Sequence, residues 1–344
     1  MRQLLNTLFI TTPGAYLRME GDTVCVEVER EKRLQVPVHH IGGVVVFGDT
    51  LVTPALIHRC ADDGRSLVFL DRNGNFKARV EGPVSGNVLL RRAQHEASCD
   101  LPRTLALARA CVAGKLRNSR HVLLRGARDA RDRGDIDALR HAARLLASHL
   151  RKLPMAPDTD TVRGLEGDGA RVYFGAMQHL VRADSRDAFR LNGRSRRPPR
   201  DRMNALISFL YTLLMSDCRS ALEGVGLDAQ VGFLHDLRPG RPALALDLME
   251  EFRPIIADRL ALTLINRGQL KADDFEERPG GAVYLNDRGR KTVLVAYQER
   301  KQDELTHPLL TEAVPVGLLP HIQARLLART LRGDLEGYLP YLMR

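Results

Sequence analysis

The sequence changes character near residue 82, and this change constrains the fold more than any other feature. Before it, Val24, Val26 and Val28 alternate with charged residues, as in a half-buried strand. After it, apolar residues recur at helical spacing in residues 105–124, 136–150, 172–181, 203–222 and 244–265. The change predicts an α+β protein. We expect a small N-terminal β-sheet domain at residues 1–82, a Gly/Pro-rich linker at 83–90, and a larger all-α domain at 91–344.

Local signals refine both parts. The dipeptide Asn73-Gly74 between two apolar runs is a strong hairpin-turn signal. We also predict a short apolar strand within residues 43–48 and a short helix over residues 53–62. In the helical part, a small extended stretch is expected at residues 269–286, and two further helices at 291–304 and 316–331.

The charge of the chain favours polyanionic partners. Its 52 Lys and Arg residues exceed its 42 Asp and Glu residues, which gives a net charge of +10. Trp is absent and aromatic residues make up 5%, so base stacking is not expected to dominate nucleic-acid affinity. This balance alone does not separate DNA, RNA and anionic membrane.

Cysteine usage and hydropathy narrow the compartment. The five cysteines include no CxxC pair, which disfavours a zinc site or a disulfide framework and predicts a reducing, cytoplasmic environment. No run of eighteen apolar residues occurs, so we expect no membrane span. Residues 1–10 have no long apolar run and no small-residue cleavage site, so we expect no targeting segment.

Arginine is concentrated in residues 192–202. The members of this group are Arg194, Arg196, Arg197, Arg200 and Arg202. Two prolines in the segment disfavour a helix and leave the guanidinium groups free to meet phosphates bidentately. A solvated, mobile loop would explain the same charges equally well.

Glu166 is the first candidate for chemistry. It lies in the run Gly164-Leu165-Glu166-Gly167-Asp168-Gly169, directly before a helical pattern, where glycines permit close approach of the backbone. Helix capping by Glu166 or Asp168 is the simpler reading of this motif when it is taken alone.

Two further motifs carry a histidine and a group of acids. His235 follows an apolar run and precedes a turn, a setting in which most histidines are structural. Asp247, Glu250 and Glu251 have i, i+3 and i+4 spacing, which places them on one helix face if the segment is helical. Such acids repel each other unless a cation or an arginine such as Arg253 lies among them. Carboxylates with one neutral imidazole suit Mg²⁺ or Mn²⁺.

At these residues the chain resembles a known family, the CRISPR-associated integrases of spacer acquisition, over nearly its full length. The matching stretches are Gly164-Leu165-Glu166-Gly167, Arg197-Pro198-Pro199-Arg200-Asp201 with Asn204-Ala205-Leu206, Gly232-Phe233-Leu234-His235, Leu246-Asp247-Leu248-Met249-Glu250-Glu251-Phe252-Arg253-Pro254, Gln323-Ala324-Arg325 and Leu331-Arg332-Gly333-Asp334. Any one of these stretches alone would be weak, but their common order makes the resemblance specific.

The resemblance implies roles for individual residues. It implies metal ligands at Glu166, His235 and an acid of the third motif, with Mg²⁺ or Mn²⁺ as the ion. The family pattern Asp-x-x-Asp/Glu falls on Asp247 and Glu250, so we assign Glu250 as the ligand and Asp247 as a supporting acid close to the metal. The adjacent Glu251 leaves an ambiguity of one residue.

The same resemblance implies nucleic-acid contacts at Arg197, Arg200, Asn204 and Tyr211. For Asn204 and Tyr211 a buried polar residue and a packing ring are equally good interpretations.

The function implied is that of a metal-dependent DNA endonuclease and integrase. Such an enzyme inserts short DNA fragments (spacers) into a repeat array by phosphodiester transesterification, and it also nicks DNA. The resemblance further implies a β domain that dimerises, a helical catalytic domain, and a homodimer that joins a small ferredoxin-like adaptation partner on double-stranded DNA. A general metal-dependent repair nuclease and a non-catalytic DNA-binding scaffold remain alternatives.

Overall fold

The computed structural model describes residues 6–74, 76–82 and 88–343, and it confirms the α+β fold. Strands dominate up to residue 82, and helices dominate after it. The N-terminal elements are β1 (Thr7–Ile10), β2 (Tyr16–Glu20), β3 (Thr23–Val28), β4 (Glu31–Pro37), β5 (Gly43–Phe47), β6 (Leu51–Val52), α1 (Pro54–Asp62), β7 (Ser66–Leu70) and β8 (Phe76–Val80).

The N-terminal strands form two four-stranded sheets. The first has the order β1-β5-β7-β8 and is parallel except for the antiparallel pair β7-β8, in which Leu67 lies opposite Val80. The second has the order β4-β3-β2-β6, and its strand β3 contains the alternating valines. The predicted hairpin around Asn73-Gly74, the strand within residues 43–48 and the helix over residues 53–62 are therefore confirmed.

Strand β5 of the first sheet is buried on both faces. Side chains alternate along β5, so Val44 and Val46 pack among the other N-terminal strands and α1, while Val45 and Phe47 pack against the helices that follow residue 88. Phe47 stacks on Phe209 with ring centroids 6.0 Å apart. This double burial explains why β5 is apolar throughout instead of alternating. It also joins the strand and helix regions through a shared hydrophobic core.

The region after residue 88 is mostly helical. Its helices are α2 (Val88–Cys99), α3 (Leu101–Asp129), α4 (Arg133–Lys152), α5 (Thr159–Ala176), α6 (Ala183–Arg186), α7 (Arg202–Gly224), α8 (Ala243–Met249), α9 (Arg259–Asn266), α10 (Asp287–Gln302) and α11 (Leu319–Arg332). Asp100, Asp158 and Asp201 begin α3, α5 and α7 by accepting a hydrogen bond from the backbone three residues on. The long helix α3 packs along both α4 and α5.

The helical region is not all-α, in contrast to the prediction. Strands β9 (Phe275–Arg278) and β10 (Ala282–Leu285) form a hairpin inside the stretch predicted to be extended. A second hairpin, β11 (Glu304–Thr306) with β12 (Ala313–Pro315), was not predicted. Strands of three residues are too short to produce a recognisable alternation in the sequence.

The segment predicted as one helix over residues 244–265 is interrupted. Helix α8 ends at Met249, a π-helical turn spans Arg253–Asp258, and α9 follows directly. Pro254 has no N–H to donate and its ring disfavours a regular helix, which accounts for the position of the break. Such π-helical turns are frequent at functional sites.

The predicted linker at residues 83–90 is described only in part. Residues 83–87 lie outside the described residues, and residues 88–90 already belong to α2. The division into domains at residues 1–82 and 91–344 remains a prediction.

Helix α7 is, among the described residues, the one helix long and apolar enough to cross a membrane by those two criteria. In its most apolar 18-residue window, 56% is buried inside the protein. Burial of this kind is usual for the core helix of a globular fold.

Candidate active site

A pocket of about 250 Å³ opens between α3, α5, α7 and the segments 234–241 and 250–258. Glu166, His235 and Glu250 all line it, although they come from three separate motifs. The fold therefore brings together the three residues that the sequence singled out as catalytic metal ligands.

Glu166 lies in the middle of α5, so the glycine-rich run is helical and does not precede a helix. The capping interpretation is also wrong, because Asp158 caps α5. Gly169 faces α3, where a Cβ atom would collide with Leu116. This glycine lets α5 approach α3 closely, and Glu166 there forms an ion pair with Lys115.

His235 is oriented by Asp247. The Nδ1 atom of His235 lies 2.6 Å from Asp247 Oδ1, and the other ring nitrogen, Nε2, lies 3.8 Å from Glu250 Oε1. When Nδ1 donates to Asp247, the lone pair of Nε2 points into the pocket. Metal-binding histidines commonly have this arrangement, in which a carboxylate fixes the tautomer and the ring orientation.

The surroundings of Asp247 differ from those of a metal ligand. Its Oδ2 accepts hydrogen bonds from the N–H groups of Phe233 and Leu234, and its Oδ1 accepts from the N–H of His235. The residue is 1% exposed and lies outside the pocket. Gly232 permits this approach, because a Cβ atom there would lie 2.8 Å from Asp247 Oδ2. The geometry therefore favours a role for Asp247 as the supporting acid that positions His235, and it does not favour direct binding of the metal.

Glu250 is the carboxylate at the floor of the pocket. Its Oε1 accepts a hydrogen bond from Arg253 Nε at 3.0 Å, and its Oε2 lies 2.7 Å from the Lys115 ammonium. Burial by itself would raise the pKa of Glu250, but the charges of Arg253 and Lys115 outweigh it and hold that pKa well below its ordinary value. Glu250 is thus kept ionised in a buried position.

Glu251 faces away from this pocket. Its carboxylate accepts hydrogen bonds from the Tyr338 hydroxyl at 2.6 Å and from the Tyr341 N–H at 2.5 Å. Burial raises the pKa of Glu251 to about 8, against the effect of these hydrogen bonds. The two neighbouring glutamates therefore have different partners on different sides of the turn that follows α8, and Glu250 is the better candidate for the ligand.

The residues of the pocket fit a divalent metal ion in composition. Two carboxylates and one imidazole with a free Nε2 are suitable donors for Mg²⁺ or Mn²⁺. Glu250 Oε2 is buried and has no hydrogen bond of regular geometry to any described residue. In the described parts of the chain, no three acidic, His or Cys side chains already converge as a ligand set. The ammonium of Lys115, between Glu166 and Glu250, separates the two acids.

Tyr211 and Asp258 form one wall of the pocket. The Tyr211 hydroxyl donates to Asp258 Oδ1 at 2.9 Å, and its ring lies between the guanidinium groups of Arg194 and Arg253, 5.4 Å and 4.5 Å from the ring centroid. Burial raises the pKa of Asp258 to about 6. Tyr211, predicted to contact nucleic acid, therefore packs as a ring and also faces the pocket.

The other predicted nucleic-acid contacts lie outside the pocket. Arg197 and Arg200 are exposed, and Arg200 donates to the carbonyl of Gly280. Asn204 is 0% exposed, donates to the carbonyl of Gly193 at 2.8 Å and accepts from Arg194 at 2.6 Å. Asn204 therefore ties the arginine-rich segment to the start of α7. Its burial and these internal hydrogen bonds favour the alternative interpretation, that of a buried polar residue.

Several basic residues of the pocket were missed by the sequence analysis. They are Lys115, Arg163 and Arg241. Arg196 was noted only as a member of the arginine-rich segment, and Arg253 only as a structural partner. Arg163 donates to the carbonyl of Leu234 at 2.6 Å and thereby holds the segment of His235 against α5. Lys115 could have been noticed, because it falls on the apolar stripe of α3 with Cys111 and Ser119, where a lysine is out of place.

Comparisons of the sequence with known proteins identify relatives of this chain. A family model described as CRISPR associated protein Cas1 matches residues 8–299. The chain is 59% identical over 344 residues to "CRISPR-associated endonuclease Cas1 1" of Moorella thermoacetica, covering 100% of both chains. It is 54% identical to "CRISPR-associated endonuclease Cas1 2" of Rhodospirillum rubrum, with 99% of each chain covered.

Solved structures share the fold at lower identity. A CAS1 protein from Thermotoga maritima is similar with a TM-score of 0.80 and 24% identity, over 95% of this chain and 97% of that one. A casposase bound to an integration product is similar with a TM-score of 0.83 and 21% identity, over 98% and 94%. At these identities the likeness concerns the fold.

Proposed function

This chain belongs to the family of CRISPR-associated Cas1 proteins, and on that premise we propose that it is a metal-dependent DNA endonuclease and integrase. It inserts short double-stranded DNA fragments into a repeat array and also nicks DNA. The observation that carries this proposal is the convergence of Glu166, His235 and Glu250 in one pocket lined by basic residues. The relatives named as endonucleases, which match the chain over its whole length, support it.

The proposed reaction is a phosphodiester transesterification. The 3′-hydroxyl oxygen of the fragment attacks a phosphorus atom at the repeat boundary, a new P–O bond forms, and the P–O bond of the repeat strand breaks to leave a 3′-hydroxyl. Glu166, His235 and Glu250 would hold a Mg²⁺ or Mn²⁺ ion, which would supply Lewis acidity at the phosphodiester and favour the deprotonated form of the attacking hydroxyl. Replacement of the attacking hydroxyl by water turns the same chemistry into nicking.

The protein's own residues prepare this chemistry. Asp247 holds His235 with Nε2 directed into the pocket. Arg163 fixes the segment that carries His235. Arg196 and Arg241 place positive charge at the pocket, where it attracts the phosphates of the substrate.

Arg197 and Arg200 extend this positive surface beyond the pocket, and they are proposed DNA contacts. Because they are exposed arginines, they suit phosphates more than base edges. We expect Arg197→Ala to weaken DNA binding and to lower the salt dependence of the binding constant by about one phosphate contact. A matched exposed arginine on α2, Arg92→Ala, serves as the control.

We further propose that the protein acts in the cytoplasm as a homodimer formed through residues 1–82. Two such dimers would join a small ferredoxin-like partner, which sets the distance between the two insertion points. Structures named as complexes of Cas1 with Cas2 share the fold of this chain and motivate the proposal of a partner.

The test is a joining reaction with a double-stranded fragment, a supercoiled plasmid that carries a repeat, and Mn²⁺ or Mg²⁺, with and without the partner. We expect joined products that disappear with EDTA and in Glu166→Gln, His235→Ala and Glu250→Gln. Asp168→Asn is the matched control, because Asp168 is an exposed acid on the same helix, paired with Arg171.

Three outcomes would change the assignment. Metal-dependent nicking without joining, even with the partner, would indicate a repair nuclease. Unchanged activity in Glu166→Gln and His235→Ala would remove the active-site assignment, and loss of all DNA turnover in the wild type would leave a binding scaffold.

A further inference from the structure

Lys115 is a charged group of the pocket that neither the motifs nor the proposed reaction explain. It projects from the buried face of α3, its side chain is 11% exposed, and its ammonium pairs with both Glu166 and Glu250. These are two of the three proposed metal ligands. A lysine that bridges them occupies the position between the acids that a divalent ion needs.

Electrostatics explains why a cation lies there. Two carboxylates facing each other in a partly buried pocket repel each other, and the repulsion is stronger there than in water. Arg253 compensates Glu250 from one side, and it is held in place by the hydrogen bond to Oε1 and by the ring of Tyr211. The Lys115 ammonium lies between Glu250 and Glu166 and offsets the repulsion between their negative charges.

The two cations differ in how easily they can leave. The guanidinium of Arg253 is planar and fixed by its stacking, whereas the ammonium of Lys115 is a point charge on a flexible four-carbon stem. The ammonium and a divalent ion are both positively charged, so they repel each other and compete for the same carboxylate oxygens. Binding of the ion is therefore expected to displace the Lys115 ammonium.

We propose that Lys115 is an internal competitor of the metal ion: it holds Glu166 and Glu250 together without metal and is displaced when metal binds. Lys115 thereby sets the metal affinity as a positioning residue. This inference rests on the proposed function, because it takes Glu166, His235 and Glu250 as the ligands.

The first test measures Mn²⁺ binding without DNA, by electron paramagnetic resonance of free Mn²⁺, in the wild type and in Lys115→Met and Lys115→Gln. Removal of the competing charge should tighten Mn²⁺ binding at least about tenfold, which corresponds to about 1.4 kcal/mol. Lys115→Arg retains the charge and should bind Mn²⁺ no more tightly than the wild type.

The matched control is Lys301→Met. Lys301 is also buried, at 6% exposure, and pairs with Asp217 at 3.0 Å, away from the pocket. It should lose stability like Lys115→Met without any change in Mn²⁺ affinity. Equal or weaker Mn²⁺ binding in Lys115→Met and Lys115→Gln would overturn the proposal, as would equal tightening in Lys115→Arg.

A second measurement uses the wild type and does not depend on the folding of any variant. Amine acylation of the native protein, read by mass spectrometry, should increase at Lys115 when Mn²⁺ is saturating and stay constant at Lys301. Labelling of Lys115 that is unchanged or reduced by Mn²⁺ would also overturn the proposal.

Glu166→Gln separates this inference from the proposed function. If Mn²⁺ binding of the wild type does not depend on Glu166, the proposed ligand set itself is wrong. If binding depends on Glu166 but not on the charge at Lys115, the ligand set stands and the inference about Lys115 fails.

Discussion

Glu250 and Glu251 are adjacent residues of the same type in the turn after α8, but their side chains lie in different surroundings. We call the side of the turn that faces the pocket the front side and the side that faces the C-terminal segment the rear side. On the front side, Glu250 pairs with the cations Lys115 and Arg253. On the rear side, Glu251 accepts hydrogen bonds from neutral donors, the Tyr338 hydroxyl and the Tyr341 N–H. Both glutamates are almost fully buried, with 2% and 1% exposure. Cations hold the pKa of Glu250 well below its ordinary value, whereas burial raises that of Glu251 to about 8.

The comparison shows that burial alone does not identify a functional acid. What distinguishes Glu250 is a second acid, Glu166, across the pocket and a cation between them. Glu251 instead joins the C-terminal segment to the core: Asn118 of α3 donates to the carbonyls of both Glu251 and Tyr341 at 2.8 Å. The front side, with Glu250, is suited to the proposed exchange of the Lys115 ammonium for a metal ion. The rear side, with Glu251, attaches the C-terminal segment to the core.

The largest effect should separate Glu250→Gln from Glu251→Gln. Loss of one proposed ligand should reduce DNA joining and nicking by about 10²- to 10³-fold, as is typical when a group that stabilises the transition state is removed. Glu251→Gln should retain most of the activity, because its side chain faces away from the pocket. Initial rates at saturating Mn²⁺ measure both, and equal losses in the two variants would contradict the comparison.

A pH effect should come from Asp258, a buried acid of the pocket wall that is hydrogen-bonded by Tyr211. Its folded-state pKa of about 6 lies above its ordinary 3.8, so the native state binds the proton more tightly than the unfolded state does. This contribution to stability is complete below the unfolded-state pKa and is lost as the pH rises through the folded-state pKa. The shift corresponds to about 3 kcal/mol.

Asp258→Asn should remove this component. Urea unfolding at about pH 4 and about pH 7 should therefore show a smaller loss of stability with rising pH in the variant than in the wild type. Identical pH dependence in both proteins would mean that Asp258 titrates as in the unfolded chain.

A smaller effect should come from Tyr338→Phe on the rear side. The change removes the hydroxyl that donates to Glu251 at 2.6 Å and should lower the free energy of unfolding by about 1–3 kcal/mol. Mn²⁺ affinity should stay at the wild-type value. The matched control is Tyr16→Phe on the exposed surface of β2, which should leave both quantities unchanged. A loss of Mn²⁺ binding in Tyr338→Phe would show that the two sides of the turn are coupled.

Much of the fold could be predicted because its signals are local. The valine alternation of β3, the Asn73-Gly74 turn and the helical spacing within α3, α4 and α7 each lie within a few residues and all agree with the structure. The break at Pro254 and the hairpin of β11 and β12 were missed. A helix that changes its winding keeps its apolar pattern, and very short strands have no pattern to recognise.

For the site, the sequence by itself determined the candidate residues: Glu166, His235 and the acids around Glu250. It also identified the arginine-rich segment at residues 192–202. The tertiary structure alone decided which acid faces the pocket, that Asp247 serves His235, that Asn204 is buried and that Lys115 lies between the two glutamates. The physical reason is that residue type and spacing fix what a side chain can do, whereas its direction and its partners depend on how distant helices pack. Lys115 and Glu166 meet because Gly169 lets α5 approach α3, and that contact joins positions far apart in the chain.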